Sequence, residues 1–139
     1  MAFSGYLMKV GSGQTEFTIP LSLMRYETYQ ITWQTLDLDS YRDSDGVLHR
    51  NALTHKVGKI EFNTPLITNT DVKTLMDGIT GAYVNATEKK LLATFYVPET
   101  DSYVSQYMYV PDIDFTIRNV DTVNNVINYG ETRIAFIGY

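Results

Sequence analysis

Alternation of apolar and polar residues runs along most of the chain. Tyr29, Ile31 and Trp33 alternate with Gln30, Thr32 and Gln34, leaving one apolar and one polar side. That is the pattern of a half-buried strand. Ile60 and Phe62 alternate with Lys59 and Glu61 in the same way. Leu91, Ala93, Phe95 and Val97 make one face of a further strand, with Leu92 and Tyr96 on the other. Tyr103, Tyr107 and Tyr109 share a face opposite Val104, Met108 and Val110. Ile113, Phe115 and Ile117 alternate with Asp114, Thr116 and Arg118, and Ile134 and Phe136 mark a last strand. The turn-forming run Pro98-Glu99-Thr100-Asp101-Ser102 predicts a hairpin joining residues 89–97 to 103–110. Gly11-Ser12-Gly13, set between two short apolar runs, reads as another hairpin turn.

One stretch follows a helical period instead. Val72, Leu75, Met76 and Ile79 fall at i, i+3, i+4 and i+7 and form a single apolar stripe. Asn69 or Thr70 can cap its start, Asp71 complements the helix dipole, and Gly81 is the expected stop. A helix of about residues 70–80 is marginal alone, so its stripe must lie on a sheet. The four prolines, Pro20, Pro65, Pro98 and Pro111, all sit at the edges of apolar runs, and no linker, repeat or low-complexity tract separates the segments. The expectation is a single β-rich domain over residues 1–139: mainly antiparallel β, as a β-sandwich or β-roll with one short packed helix.

Length and composition sharpen this picture. At 139 residues the chain is long enough for a core that needs no covalent staples. Eleven tyrosines against six phenylalanines and one tryptophan favour sheet, and favour surfaces that meet other surfaces. A net charge of −5 argues against gripping nucleic acid through its phosphates. The absence of cysteine excludes disulfides, thiolate metal sites and a cysteine nucleophile. No apolar run is long enough to span a membrane, and the opening Met1-Ala2-Phe3-Ser4-Gly5-Tyr6 lacks the basic start and apolar middle of a signal peptide. A cytoplasmic product without membrane attachment is expected on these grounds.

Candidate chemistry is sparse. The acidic run from Asp37 to Gly46 invites a calcium loop, yet placing Gly46 at position 6 puts Tyr41 at position 1 and Ala52 at position 12. Both are positions where an oxygen ligand is required. A turn through Ser44-Asp45-Gly46, with its aspartates solvated or paired to Arg42 and Arg50, is preferred. His49 and His55 have too few convergent partners for a metal triad, and neither a nucleophile elbow nor a phosphate loop occurs. No catalytic residue, metal or cofactor is expected. The tyrosines are the stronger clue. Tyr103, Tyr107 and Tyr109, with Tyr96 beside them, could form a subunit interface, core, or a platform for stacking sugars.

Phe3-Ser4-Gly5-Tyr6-Leu7, Leu38-Asp39-Ser40-Tyr41-Arg42-Asp43 through Leu48-His49-Arg50, Lys59-Ile60-Glu61-Phe62-Asn63-Thr64-Pro65, Tyr109 to Ile117 and the closing Ile134-Ala135-Phe136-Ile137-Gly138-Tyr139 together resemble a family of small prophage proteins from Gram-positive bacteria. The resemblance covers most of the chain. It implies a tail component, of the distal-tail, baseplate or tail-tube type, with a tail-tube-like fold and no catalytic residues. It further implies a homo-oligomer, hexamer or trimer, among other phage tail proteins, in a virion made in the host cytoplasm. Closing strands into a ring would remove exposed sheet edges. An acidic lumen would let DNA pass without specific binding, provided the acids face inward.

Within that frame the loop from Asp37 to Arg50 is the expected assembly element, with Asp39, Tyr41, Arg42, Asp43, His49 and Arg50 as contacts, because tyrosine and arginine concentrate at interface hot spots. Tyr103, Tyr107 and Tyr109 are the second candidate set. The alternative function is a carbohydrate-binding module gripping cell-wall sugars through that tyrosine face.

Overall fold

The computed structural model describes residues 3–139; Met1 and Ala2 of the opening run, on which the signal-peptide reading partly rests, lie outside them. In chain order the strands are β1 (Met8–Val10), β2 (Phe17–Thr18), β3 (Gln30–Asp37), β4 (Tyr41–Arg42), β5 (Leu48–His49), β6 (Ala52–Asn63) and β7 (Ile67–Thr68). The helix α1 (Asn69–Gly81) follows, and then β8 (Tyr83–Asn85), β9 (Lys90–Val97), β10 (Ser102–Tyr109), β11 (Ile117–Asp121), β12 (Val126–Tyr129) and β13 (Arg133–Gly138). Three single 3₁₀ turns, at Gly13–Thr15, Leu21–Leu23 and Tyr26–Thr28, carry the chain from β1 to β3. The architecture is mainly antiparallel β with one helix.

The large sheet runs β2-β1-β9-β10-β13-β6-β3, with β8 on the far part of β9; β11-β12-β7 form a small sheet, and β4-β5 a two-stranded tip. The alternation in β9 is borne out residue by residue: Leu91, Ala93, Phe95 and Val97 are buried and their neighbours are not. The hairpin from β9 to β10 has an unbroken register of eight pairs, from Ser102↔Val97 to Tyr109↔Lys90. Asp101, in the left-handed conformation, closes its turn and accepts a hydrogen bond from the Tyr96 hydroxyl at 2.6 Å.

The sheet rolls over its own inner face. Trp33 of β3 meets Phe95 of β9 edge-on at 5.9 Å, although three strands separate them in the sheet. Curling brings Phe62, Phe95 and Phe136 into one core with Met8, Ile60 and Met108. Each such fully buried side chain contributes roughly 1.5–3 kcal/mol. Gly58 permits the closure, because a Cβ there would lie 2.8 Å from the Phe95 ring.

The seam between β10 and β6 is closed by β13 and, beyond the end of β13, by the side chain of Gln106. β13 pairs with β10 at only Met108↔Gly138 and Tyr109↔Ile137, with one further bond from Tyr139 N to Tyr107 O at 3.1 Å, so beyond Tyr139 a gap separates β10 from β6. Gln106 bridges it: its Nε2 donates to Lys56 O at 2.8 Å and its Oε1 accepts from Gly58 N at 2.9 Å. The amide reproduces the donor and acceptor that a missing ladder would have supplied.

Leu75 and Ile79 of α1 are buried against the core, as the stripe requires. Gly78 lets the helix approach Phe17, whose ring would stand 2.3 Å from a Cβ at that position. The cap differs from expectation. Thr68 is the N-cap, its N–H donating to Asp71 Oδ2 at 3.2 Å, while Asn69 accepts from Ile127 N at 3.2 Å and ties the helix to β12. Gly81 is the last helical residue, and Ala82 forms the C-cap in right-handed conformation. The expected strand through Ile113 and Phe115 is also corrected: residues 111–116 are irregular and only Ile117 enters β11. Here the chain crosses between sheets. Pro111 offers no N–H to a ladder, Ile113 leans on the core, and the Phe115 ring meets Tyr129 edge-on.

Candidate functional site

Outward of Gln34 and Val57, β3 and β6 continue without a third strand, since β13 pairs with β6 only from Lys59 to Asn63. No residue of this arm, from Gln34 to Val57, is buried. Its register shifts between Thr35↔Lys56 and Asp37↔Ala52, where β6 carries extra residues, and a bulge of this kind bends and twists a ribbon. His55 lies in the bulge and donates from Nε2 to the Tyr139 carbonyl at 2.7 Å, anchoring the base of the arm to the end of β13.

The tip is tightly organised. Asp43 Oδ1 accepts from the N–H groups of Asp45 (3.0 Å) and Val47 (3.1 Å), and Oδ2 accepts from His49 Nε2 at 2.8 Å. These bonds, that from His49 foremost, hold the Asp43 carboxyl below the usual carboxylate range. Arg42 donates to Gly46 O at 2.9 Å, the Tyr41 ring stacks on His49 at 4.9 Å, and Arg50 pairs with Asp37 at 2.9 Å. Gly46 takes the positive φ of +83° that the reversal needs. Asp43, Arg42, His49 and Arg50 are therefore spent largely on shaping the tip. The side chains of Asp39 and Asp45 have no hydrogen-bond or ion-pair partner among the described residues. The oxygens that a calcium loop would have used at Asp43 face backbone N–H groups and a histidine instead.

What the tip presents outward is apolar. Leu38, Tyr41, Val47, Leu48 and Leu53 are between 38% and 59% exposed, a concentration of surface hydrophobes on a segment with no core of its own. Of these, sequence reasoning singled out Tyr41 alone.

The second candidate set divides. Tyr103 is half-buried: its ring stacks on Tyr6 at 4.6 Å, and its hydroxyl donates to Tyr6 O at 2.7 Å and accepts from Ser4 N at 2.9 Å. Tyr107 and Tyr109 are exposed, and they are joined by Tyr139, which meets Tyr109 edge-on at 5.8 Å. The Lys90 ammonium lies 5.0 Å from the centre of the Tyr107 ring and 4.6 Å from that of Tyr139, within reach of a cation–π attraction. The Tyr139 hydroxyl donates to Glu88 at 3.0 Å. Tyr139 was legible in principle, because alternation from Phe136 puts it on the outer face.

Elsewhere, two open depressions of about 320 and 390 Å³ flank the Arg133–Glu61 and Arg25–Glu131 ion pairs. Neither is lined by a histidine or serine. The Tyr29 hydroxyl is buried without a hydrogen-bond partner among the described residues, and burial pushes its pKa up, keeping it a neutral phenol. Among the described residues no three His, Cys, Asp or Glu side chains converge as metal ligands, and no helix is long and apolar enough to cross a membrane.

No curated protein matches this chain. Among solved structures the chain is similar to one from the "Tail of empty GTA particle computed with helical refinement, C6 symmetry", at 15% identity and a TM-score of 0.47, over 99% of this chain and 95% of that one. The family model described as "Family of unknown function (DUF6711)" matches residues 1–139. Matched over residues 1–139, the chain belongs to this family of unknown function.

Proposed function

We propose that the protein is a non-enzymatic structural component of a phage or prophage tail, and that it works by self-assembling into a ring, hexameric or trimeric, in the tail tube or distal tail. The observation that carries the assembly reading is the arm. Folding of the core gives no reason for Leu38, Tyr41, Val47 and Leu48 to stand exposed on a two-stranded ribbon that reaches no core, and such a ribbon is marginal alone. A second surface gives those side chains a place to be buried. The tail setting is supported by the resemblance of the sequence to small prophage proteins.

Asp39, Tyr41, Arg42, Asp43, His49 and Arg50 are the proposed assembly element, with Arg42, Asp43, His49 and Arg50 shaping the tip and Tyr41 presented outward. The carbohydrate-binding reading is less well supported, because Tyr103 is half-buried and its hydroxyl already engaged. Light scattering across a concentration series tests the proposal. A mass near three or six times 15.8 kDa is expected for the wild type, and a smaller mass for Tyr41→Ala/Arg42→Ala with its circular dichroism unchanged. A double variant that assembles like the wild type removes the arm from the interface.

A further inference from the structure

Most cations on this acidic chain are already neutralised. Lys9, Arg25, Arg50, Lys73, Lys89 and Arg133 all sit in ion pairs, and Lys56 and Arg42 donate to neutral oxygens. Besides Arg118 on β11 of the small sheet, Lys59 and Lys90 have no carboxylate partner among the described residues. They are far apart in sequence, yet the strand register sets them in one line across the outer face of the large sheet. Lys90 faces Tyr109, Tyr109 faces Ile137, Ile137 faces Lys59, and Lys59 faces Thr32. Directly paired residues on antiparallel strands point to the same side, and three strand spacings put the two lysines about 14 Å apart. Between them stand the exposed ring of Tyr109 and the half-buried Ile137, with Tyr107 and Tyr139 alongside. The Lys90 ammonium is held in place by rings rather than by an acid, so its charge is positioned and uncompensated.

The tip of the arm is the complement of this row. It carries the unpartnered carboxylates of Asp39 and Asp45 and the exposed Tyr41, Val47 and Leu48. From this match we infer that the Lys59–Ile137–Tyr109–Lys90 row receives the arm tip of a second copy of the chain. The carboxylates of Asp39 and Asp45 meet the two lysines, and the tip's apolar side chains lie over Tyr109 and Ile137. The inference rests on the assembly reading above and names the face it uses. Opposite charges at the ends of an apolar strip fix register and suppress wrong dockings, which a purely apolar contact would not do.

A charge exchange tests it. Lys59→Glu/Lys90→Glu reverses the row, and Asp39→Asn/Asp45→Lys alters the tip while keeping at position 39 a residue tolerant of its φ of +55°. Each variant alone should self-associate at least about tenfold more weakly than the wild type in sedimentation equilibrium, and the two mixed together should regain the lost affinity. The weakening should shrink as salt is raised. The tip variant leaves the large sheet untouched, so it remains informative if the row variant misfolds. Wild-type-like association of both variants overturns this inference and leaves the assembly reading standing. A wild type that stays monomeric at every concentration overturns both.

Discussion

Two hairpins in this molecule are built by the same local rules and have opposite fates. In β9–β10, eight consecutive pairs run without a break, and one side of the ribbon is sealed in the core by Leu91, Phe95 and Met108. In the arm, the ladder is interrupted by a bulge, no side chain is buried, and comparable apolar residues are exposed. Alternation and turn chemistry therefore specify a ribbon, but not its role. The role is decided by whether a third strand and a rolled inner face lie within reach.

The largest test of this contrast is to truncate one large apolar side chain in each hairpin. Phe95→Ala should destabilise the protein by about 3–5 kcal/mol, since it removes a ring from the packed centre and leaves a cavity. Leu48→Ala should change stability by no more than about 0.5 kcal/mol, as for other surface sites, while weakening self-association. Urea denaturation of both variants measures the difference. Equal losses would mean that the arm is part of the cooperative core.

An intermediate effect is expected where the two regions join. Gln106→Ala removes both hydrogen bonds of the seam and leaves Gly58 N–H and Lys56 C=O without partners, at a penalty of about 1–3 kcal/mol. Amide hydrogen exchange should then speed up around Lys56 and Gly58 and stay slow in β9. Uniform acceleration would show that the seam and the core open together.

The smallest effect is confined to the tip. Because the Asp43 carboxyl is held below its ordinary range by His49 and by the Val47 N–H, it favours the ordered tip at all pH above the unfolded-state value of about 3.9. That support is lost as pH falls through the lower folded-state value. The amide resonances of Asp45 and Val47 should show a step below about pH 4, while those of β9 do not move. Asp43→Asn should abolish the step.

Much of the core half was legible beforehand. Strict alternation in residues 91–97, the stripe from Val72 to Ile79 and the turn at Pro98–Ser102 each report a local regularity that the fold preserves. What escaped were features decided by distant partners. Ile113 to Ile117 has a strand's pattern, but the chain is changing sheets there and Pro111 breaks the ladder. Asn69 looks like a cap, yet its side chain is taken by Ile127, nearly sixty residues away. The line from Lys59 to Lys90 exists only once β13 is inserted between β10 and β6, and no spacing along the chain encodes that order.

The seam at Gln106 carries a mechanical consequence. Ladders resist shear along their whole length, whereas at the root of the arm the β13 ladders have ended and two side chains, Gln106 and His55, take their place. Force on the arm tip is concentrated at one amide and at the His55 anchor beside it. A displacement of the arm is therefore expected to be taken up at that root rather than in the phenylalanine-lined interior. In the assembly proposed above, a subunit so jointed would tolerate neighbours set at slightly different angles.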